Sequence, residues 1–119
     1  HREGMSEVLD RFSVGELATH MHHIFPQNEF EEIADYIENL IALTSGQHLQ
    51  KAHPNGNTQI IDKQYQYTCL IAKTESIRKN IMANKGEPVI YDFAAFMYVL
   101  AIPSRTSRTV LKGIGWLAL

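Results

Sequence analysis

Histidine is concentrated in one part of this chain. Five of its six histidines, His20, His22, His23, His48 and His53, fall within 34 consecutive residues. Imidazole is the commonest protein ligand for divalent transition metals and titrates near neutral pH. Because His48 follows the adjacent pair by 25 residues, the fold must bring two separate segments together to form one site. The cluster predicts a metal site in which one ring of the pair binds the ion and the other moves protons.

Length and composition indicate a single globular domain. The chain has 119 residues, of which 45% are hydrophobic and 20% are charged, which is enough apolar material for one core. No apolar run reaches membrane-spanning length and no secretory leader is visible, so we expect neither. The chain starts at His1 rather than Met, and we expect it to be a processed piece of a longer protein.

A single cysteine limits the kinds of metal site that this chain can form. Cys69 has no second cysteine to pair with, which excludes an internal disulfide and a zinc site built on paired cysteines. Histidine, carboxylate or amide groups must therefore hold any metal. Cys69 itself lies on an apolar face of a predicted helix, where a core position is expected.

Charge is divided unevenly along the chain. Residues 1–60 carry three Lys or Arg against nine Asp or Glu, whereas residues 61–119 carry eight against four. A polyanion would meet the second half more readily than the first. The candidate phosphate contacts are Lys51, Arg78, Lys79, Arg105 and Arg108, although solvated surface is the better explanation for any single one of them.

Two short segments have the character of β-strands. Residues 17–25 alternate in polarity and end at Pro26, and Leu40–Leu43 is brief and apolar. Since successive side chains of a strand point to opposite faces, His20 and His22 share one face and His23 occupies the other. The sequence thus predicts a two-stranded unit in which the adjacent histidines are separated by the strand itself.

Capping residues and helix breakers predict five helices around these strands. They are a short helix at Ser6–Phe12, a second at Asn28–Glu38, a third that starts at Thr44, carries His48 and stops by Pro54, a fourth from Asp62 to about Ala83, and a fifth from Asp92 that ends before Pro103. Together with the strands they predict an α+β fold.

The order strand, loop, strand and helix carries four chemically distinctive residues. His22 and His23 lie in HHIFP, Asn39 in ENLIALT and His48 in QHLQKAH. This arrangement resembles the HNH endonucleases of the ββα-metal fold, and most closely the nuclease domain of a bacterial or phage restriction-type enzyme. The resemblance covers about residues 16–58. It implies a single HNH domain over residues 1–119, with a ββα-metal core (two-stranded hairpin plus helix) embedded in additional helices that include C-terminal helices at about 62–102.

The resemblance also implies a role for each motif residue. His22 would bind the metal, His23 would be the general base that deprotonates a water, and His48 would be a second ligand presented by the helix. Asn39 would hold the loop and fix the orientation of the His23 ring. A histidine base and a divalent ion suit the hydrolysis of a phosphodiester, because one makes the nucleophile and the other stabilises charge on the phosphate.

The third protein ligand is left open by the sequence. Many family members place it four residues after the helix histidine, but Ala52 occupies that position. His53 is one step further, where an ideal helix would turn it away from His48. Pro54 disfavours helical geometry at residue 53 and can let the ring turn back. We therefore expect His53 as the third ligand, with Asn57 or a two-ligand site as alternatives.

Several further expectations follow from the same resemblance. The cofactor would be one divalent ion (Mg, Mn, Zn or Ni) and the substrate DNA, in a cytoplasmic enzyme that acts as a homodimer or with an additional DNA-recognition domain. His20 could be a ligand, a phosphate contact or an ordinary strand residue. Two alternatives remain: a module with a structural metal, or a degenerate HNH module that binds DNA or protein without cleavage.

Overall fold

The fold is α+β, as the sequence predicts. The computed structural model describes residues 4–58, 60–82 and 86–104. A two-stranded antiparallel sheet packs with helices, and its strands pair His20 with Leu43 and His23 with Leu40. The main elements are β1 (His20–His23), β2 (Leu40–Leu43), a π-helix (Gln47–Ala52), α1 (Lys63–Met82) and α2 (Phe93–Ser104).

The two long helices start where their capping residues predict. The Asp62 carboxylate accepts the backbone N–H of Tyr65 at 2.9 Å, and the Asp92 carboxylate accepts that of Ala95 at 3.2 Å. Each bond satisfies one of the free N–H groups of a first helical turn. The predicted end of α2 before Pro103 is wrong, because α2 continues through Pro103 to Ser104.

Helical spacing in the sequence predicts a buried stripe on α1 made of Tyr67, Leu70, Ile71, Thr74, Ile77 and Ile81. This prediction is only partly correct. Leu70 and Ile77 are buried, but Ile71 is 40% exposed. The buried face also includes two polar side chains, Gln66 and Lys73. Hydrophobic periodicity missed them because a polar side chain enters a core when the fold supplies its partners.

The predicted helix at Ser6–Phe12 is wrong. These residues form bends and turns, in which the Asp10 carboxylate accepts the backbone N–H of Phe12 at 2.8 Å and the Ser13 hydroxyl accepts that of Asp10 at 3.0 Å. Such local side-chain bonds give the backbone an alternative to a helix. The N-terminal segment, defined here as residues 4–19, consequently crosses the surface of the sheet region as an irregular chain.

The connection between the strands is also less helical than expected. Instead of one helix over Asn28–Glu38, two single turns of 3₁₀-helix cover Glu31–Ile33 and Ile37–Asn39. The predicted first strand is likewise shorter, since only His20–His23 pairs with β2. Short strands joined by tight turns leave the histidines close to the core rather than on a long exposed ribbon.

The core lies between the hairpin and the two long helices. It includes Phe25, which follows β1, and Ile41 and Leu43 of β2, each of them fully buried. From the helices, Cys69 and Val99 are also fully buried, so Cys69 occupies the expected core position. The backbone around the histidines is therefore anchored on its inner side by packed apolar groups.

Candidate metal centre

Three histidines from two segments meet at one point. His22 of β1, His48 of the π-helix and His53 just after it each offer a ring nitrogen, and these nitrogens all lie within 4.8 Å of one another. His22 is 2% exposed and His53 is 7% exposed, while His48 is half-buried. The three rings form a compact nitrogen-rich cluster, referred to below as the His centre, that could bind a divalent metal ion.

The π-helix explains how His53 reaches the His centre. In an α-helix, residues five apart are rotated by about 140° and do not face each other. Here the His53 N–H bonds to the His48 carbonyl at 2.9 Å, which is the wider i→i+5 turn of a π-helix. Pro54 follows and starts a separate 3₁₀ turn, so His53 takes an extended conformation with φ −118° and ψ 92°. The ring centres of His48 and His53 then lie 4.8 Å apart.

A backbone hydrogen bond fixes which His53 nitrogen can bind a metal. Nδ1 of His53 lies 3.0 Å from the carbonyl oxygen of Ile60. A carbonyl only accepts, so Nδ1 must carry the proton and donate it, which leaves the Nε2 lone pair free. Metal-binding histidines usually tie their second nitrogen in this way. The His53 ring is thus already in a tautomer that suits a ligand.

His20 lies beside the three. Its Nδ1 is 2.8 Å from Nδ1 of His48, and the two ring centres are 5.1 Å apart. The ring centre of His22 is 5.0 Å from that of His48. His20 and His22 therefore share the face of β1 that meets the π-helix, as strand alternation predicts.

Burial keeps the rings of His22 and His48 neutral. Desolvation, followed by repulsion from the neighbouring histidines, lowers the pKa of His22 from 6.5 to about 3. The same two causes lower the pKa of His48 from 6.5 to about 4. A neutral imidazole is the form that binds a metal, so at neutral pH neither ring has to lose a proton first.

These shifts predict a pH dependence of stability. Between pH 6.5 and 4 the unfolded chain protonates both rings while the folded chain does not, so the free energy of unfolding falls as pH falls. The metal-free protein should lose stability across this window and show no contribution from these rings above it. Replacing His22 with leucine should reduce the slope of the unfolding free energy against pH by the equivalent of about one proton. Urea denaturation of both proteins at several pH values measures it, and equal slopes would contradict the prediction.

His23 is held apart from the His centre. It is the last residue of β1, pairs with Leu40 and is half-buried. Alternation along the strand directs its side chain to the face opposite His22. A histidine one residue from a ligand but on the other face can remain near the centre without binding the ion.

Asn39 holds the backbone that follows β1. Its side-chain Oδ1 accepts the N–H of Phe25 at 2.9 Å, and its Nδ2 donates to the Phe25 carbonyl at 3.1 Å and the Ile33 carbonyl at 3.3 Å. Its own carbonyl accepts the N–H of Ile24 at 2.8 Å. Asn39 thus closes the loop between the strands, which is the first of its two expected roles. Its described side-chain bonds go to backbone groups of Phe25 and Ile33, so its second expected role, orienting the His23 ring, stays a prediction.

Replacing Asn39 with alanine should lower the free energy of unfolding by about 2–4 kcal/mol, because it leaves buried backbone groups without partners. Asn28, an exposed asparagine of the same loop, provides the matched control, and Asn28→Ala should change stability by about 0.5 kcal/mol or less. Chemical denaturation of the metal-free proteins measures both. Equal effects of the two substitutions would show that the Asn39 side chain does not hold the loop.

The candidate phosphate contacts lie outside the His centre. Arg78 is exposed and its guanidinium bonds to both carboxylate oxygens of Glu75, at 2.9 and 2.6 Å. The hydrogen bonds to Glu75 raise the pKa of Arg78 and use two of its five N–H donors. Lys51 is exposed and, with Asp62 and Tyr67, lines a groove of about 360 Å³. The Lys51 ammonium also lies 5.6 Å from the centre of the Phe12 ring.

Three other sequence predictions have different outcomes. Asn57, the alternative third ligand, is exposed and follows the 3₁₀ turn at Pro54–Gly56. The Lys79 ammonium is 3.9 Å from Glu75. Arg105 and Arg108 lie outside the described residues.

A scan of protein-family models and searches of curated proteins and of solved structures found no match to this chain. These comparisons therefore provide no function for this chain. In the part of the chain that the structure describes, no helix is both long enough and apolar enough to cross a membrane. The functional argument therefore depends on the geometry of the His centre and its neighbours.

Sequence reasoning missed the residue that anchors the π-helix. Gln47 is fully buried and its Oε1 accepts the Ser6 hydroxyl at 2.5 Å and the Thr44 N–H at 3.0 Å. Its Nε2 donates to the Val8 carbonyl at 2.7 Å and to Asp10 at 3.1 Å. The N-terminal segment thus holds Gln47, the residue before His48, through three hydrogen bonds. Nothing in the sequence marks this role, since a glutamine beside a histidine is as readily a surface residue.

Proposed function

We propose that this chain is a metal-dependent endonuclease of the HNH type, which hydrolyses DNA phosphodiester bonds with a histidine general base. One observation carries the proposal. Three imidazole nitrogens from a β-hairpin and the following helical turn lie within 4.8 Å of one another, and a further histidine adjoins the first of them on the opposite strand face. This combination provides one group to hold an ion and another to move a proton.

The ligands would be His22, His48 and His53. All three offer imidazole nitrogen, a donor set that favours zinc or nickel, although magnesium and manganese also serve phosphodiester hydrolysis. A bound divalent ion would stabilise charge on the phosphate and on the leaving oxygen. With three protein ligands, a centre of this kind keeps positions for water and substrate, as catalytic sites do.

His23 would act as the general base. From its position beside His22 it would accept a proton from the attacking water, and its separation from the three ligands leaves its ring free to do so. Asn39 would keep the end of β1 in place during this step, through its bonds to Phe25. Lys51 is a candidate contact for a phosphate of the substrate, since it is the exposed cation nearest in sequence to the His centre.

DNA as substrate and an assembly partner belong to the same proposal. The net charge of the chain is −2, so phosphate neutralisation by this chain alone would be weak. A second copy of the chain or an additional DNA-recognition domain would supply the missing affinity. In that arrangement the ββα-metal unit is the cutting module and its partner provides much of the binding.

The alternative is a module with a structural metal, or an inactive HNH-like domain, that binds DNA or protein without cleavage. The observation that favours it is burial, because two of the three ligands, His22 and His53, are less than 10% exposed. A closed site holds its metal with protein groups alone and has no position for water.

A plasmid-nicking assay separates these functions. The chain should nick supercoiled DNA with at least one of Mg²⁺, Mn²⁺, Ni²⁺ or Zn²⁺, and chelation with EDTA should stop it. His48→Ala should abolish both metal binding and nicking. Binding of metal without nicking by any of the four ions would support the structural-metal alternative and refute the nuclease.

A further inference from the structure

The contact between His20 and His48 restricts how His48 can bind a metal. Their Nδ1 atoms are 2.8 Å apart, which is a hydrogen-bond distance. One of the two nitrogens must carry the proton and the other must accept it. If His20 donates, the neutral His48 ring carries its own proton on Nε2 and presents no lone pair to an ion. If His48 donates, its Nε2 lone pair is free.

The distance argues against His20 as a ligand of the same ion. Two nitrogens that bind one tetrahedral zinc at 2.0–2.1 Å are separated by about 3.4 Å. The observed 2.8 Å is shorter than this and suits a direct N–H···N bond. His20 is also absent from the group of histidines whose nitrogens converge within 4.8 Å. It therefore contacts a ligand without joining the ligands.

The His53 ring provides a parallel within the same site. Its Nδ1 is tied to the Ile60 carbonyl, which leaves Nε2 for the ion. With His20 as acceptor, His48 would have the same arrangement, so two ligands would each bind through Nε2 and be held through Nδ1. Outer partners of this kind orient a ligand and fix its tautomer.

We propose that His20 is a positioning residue of the His centre, which accepts the Nδ1–H of His48 and so holds His48 with Nε2 directed to the metal. The inference rests on the proposed metal site. This role differs from the three that the sequence leaves open for His20, which are a ligand, a phosphate contact and an ordinary strand residue. His20 acts through His48 rather than on metal or phosphate.

Zinc binding by three variants tests this role. His20→Leu removes the acceptor, and outer-partner substitutions typically weaken metal binding about 10–100-fold. His20→Asn can present its side-chain oxygen near the position of Nδ1, so it should recover most of the affinity. Met21→Ala changes the intervening, exposed residue of β1 and should leave zinc affinity unchanged. Isothermal titration with Zn²⁺ alone gives the affinities, and denaturation of the metal-free proteins shows whether each variant is folded.

A spectroscopic measurement distinguishes positioning from simple packing. In the zinc-bound wild type, ¹⁵N NMR should show His48 protonated at Nδ1 and bound to zinc through Nε2. Wild-type affinity in His20→Leu would overturn the inference, as would ¹⁵N signals showing zinc on His20 itself. If the wild type binds no zinc, nickel or manganese, the metal centre fails and the role of His20 fails with it. If it binds metal and His20→Leu binds metal as tightly as the wild type, the centre stands and the inference alone fails.

Discussion

Replacing His23 with alanine should lower the rate of DNA cleavage by about 10²–10⁴-fold, the usual contribution of a positioned general base, and should leave metal affinity nearly unchanged. The reason is geometric. His23 adjoins His22 in β1 but occupies the opposite face, whereas the three converging nitrogens belong to His22, His48 and His53. In the proposed nuclease, removal of the His23 ring would take away a proton acceptor without taking away a ligand.

The measurement combines two readouts on one variant. Nicking rates on supercoiled plasmid give the loss of activity, and zinc titration gives the affinity. His22→Ala is the matched comparison, because that variant should lose both nicking activity and zinc affinity. A His23→Ala protein that lost zinc together with its fold would identify His23 as a ligand of a closed structural site and would rule out its role as base.

Replacing Lys73 with methionine should lower the free energy of unfolding by about 3–5 kcal/mol, the cost of leaving a buried charge unpaired. Lys73 is 1% exposed and its ammonium lies 2.7 Å from Oε1 of Glu7. Among the described residues, no other group donates a hydrogen bond to that oxygen. The ammonium also donates to the Tyr91 hydroxyl at 2.9 Å, so one side chain joins the N-terminal segment, α1 and the residues before α2.

The double variant Glu7→Gln with Lys73→Met separates lost charge from lost packing. Glutamine keeps an acceptor for the Ala42 N–H, which Glu7 now accepts at 2.8 Å, and it removes the unpaired charge. The double variant should therefore be more stable than Lys73→Met alone. Urea denaturation of the three proteins measures this. A Lys73→Met protein as stable as the wild type would show that Glu7 turns to solvent when its partner is lost.

The parts of this fold that the sequence predicted are those with local signals. Asp62 and Asp92 cap α1 and α2 at the predicted positions, and alternation correctly placed His20 and His22 on one face. The position of His53 depended on Pro54, a residue with a known steric effect on its neighbour. In each case, the interaction that decides the structure lies within a few residues in the sequence.

The parts that escaped prediction depend on contacts between distant residues. Gln47 is bound by Ser6 and Val8, about forty positions earlier, and Lys73 is bound by Glu7. Neither partner is visible from periodicity or spacing. The N-terminal turns were misread as a helix because the apolar residues fit helical spacing, while Asp10 and Ser13 bond to the local backbone instead.

The N-terminal segment has a consequence for the size of the smallest working unit. Its Glu7 N–H donates to the Ala42 carbonyl at 3.1 Å, on the edge of β2 that β1 leaves free. Together with its hydrogen bonds to Gln47, this contact fixes the N-terminal segment against β2 and the π-helix that carries His48. A peptide limited to residues 16–58 would lose these bonds, exposing an edge of β2 and loosening His48. The smallest stable unit that holds the histidines in place is therefore longer than the histidine-bearing segment. Any attempt to graft the His centre onto another protein would have to include the N-terminal segment as well.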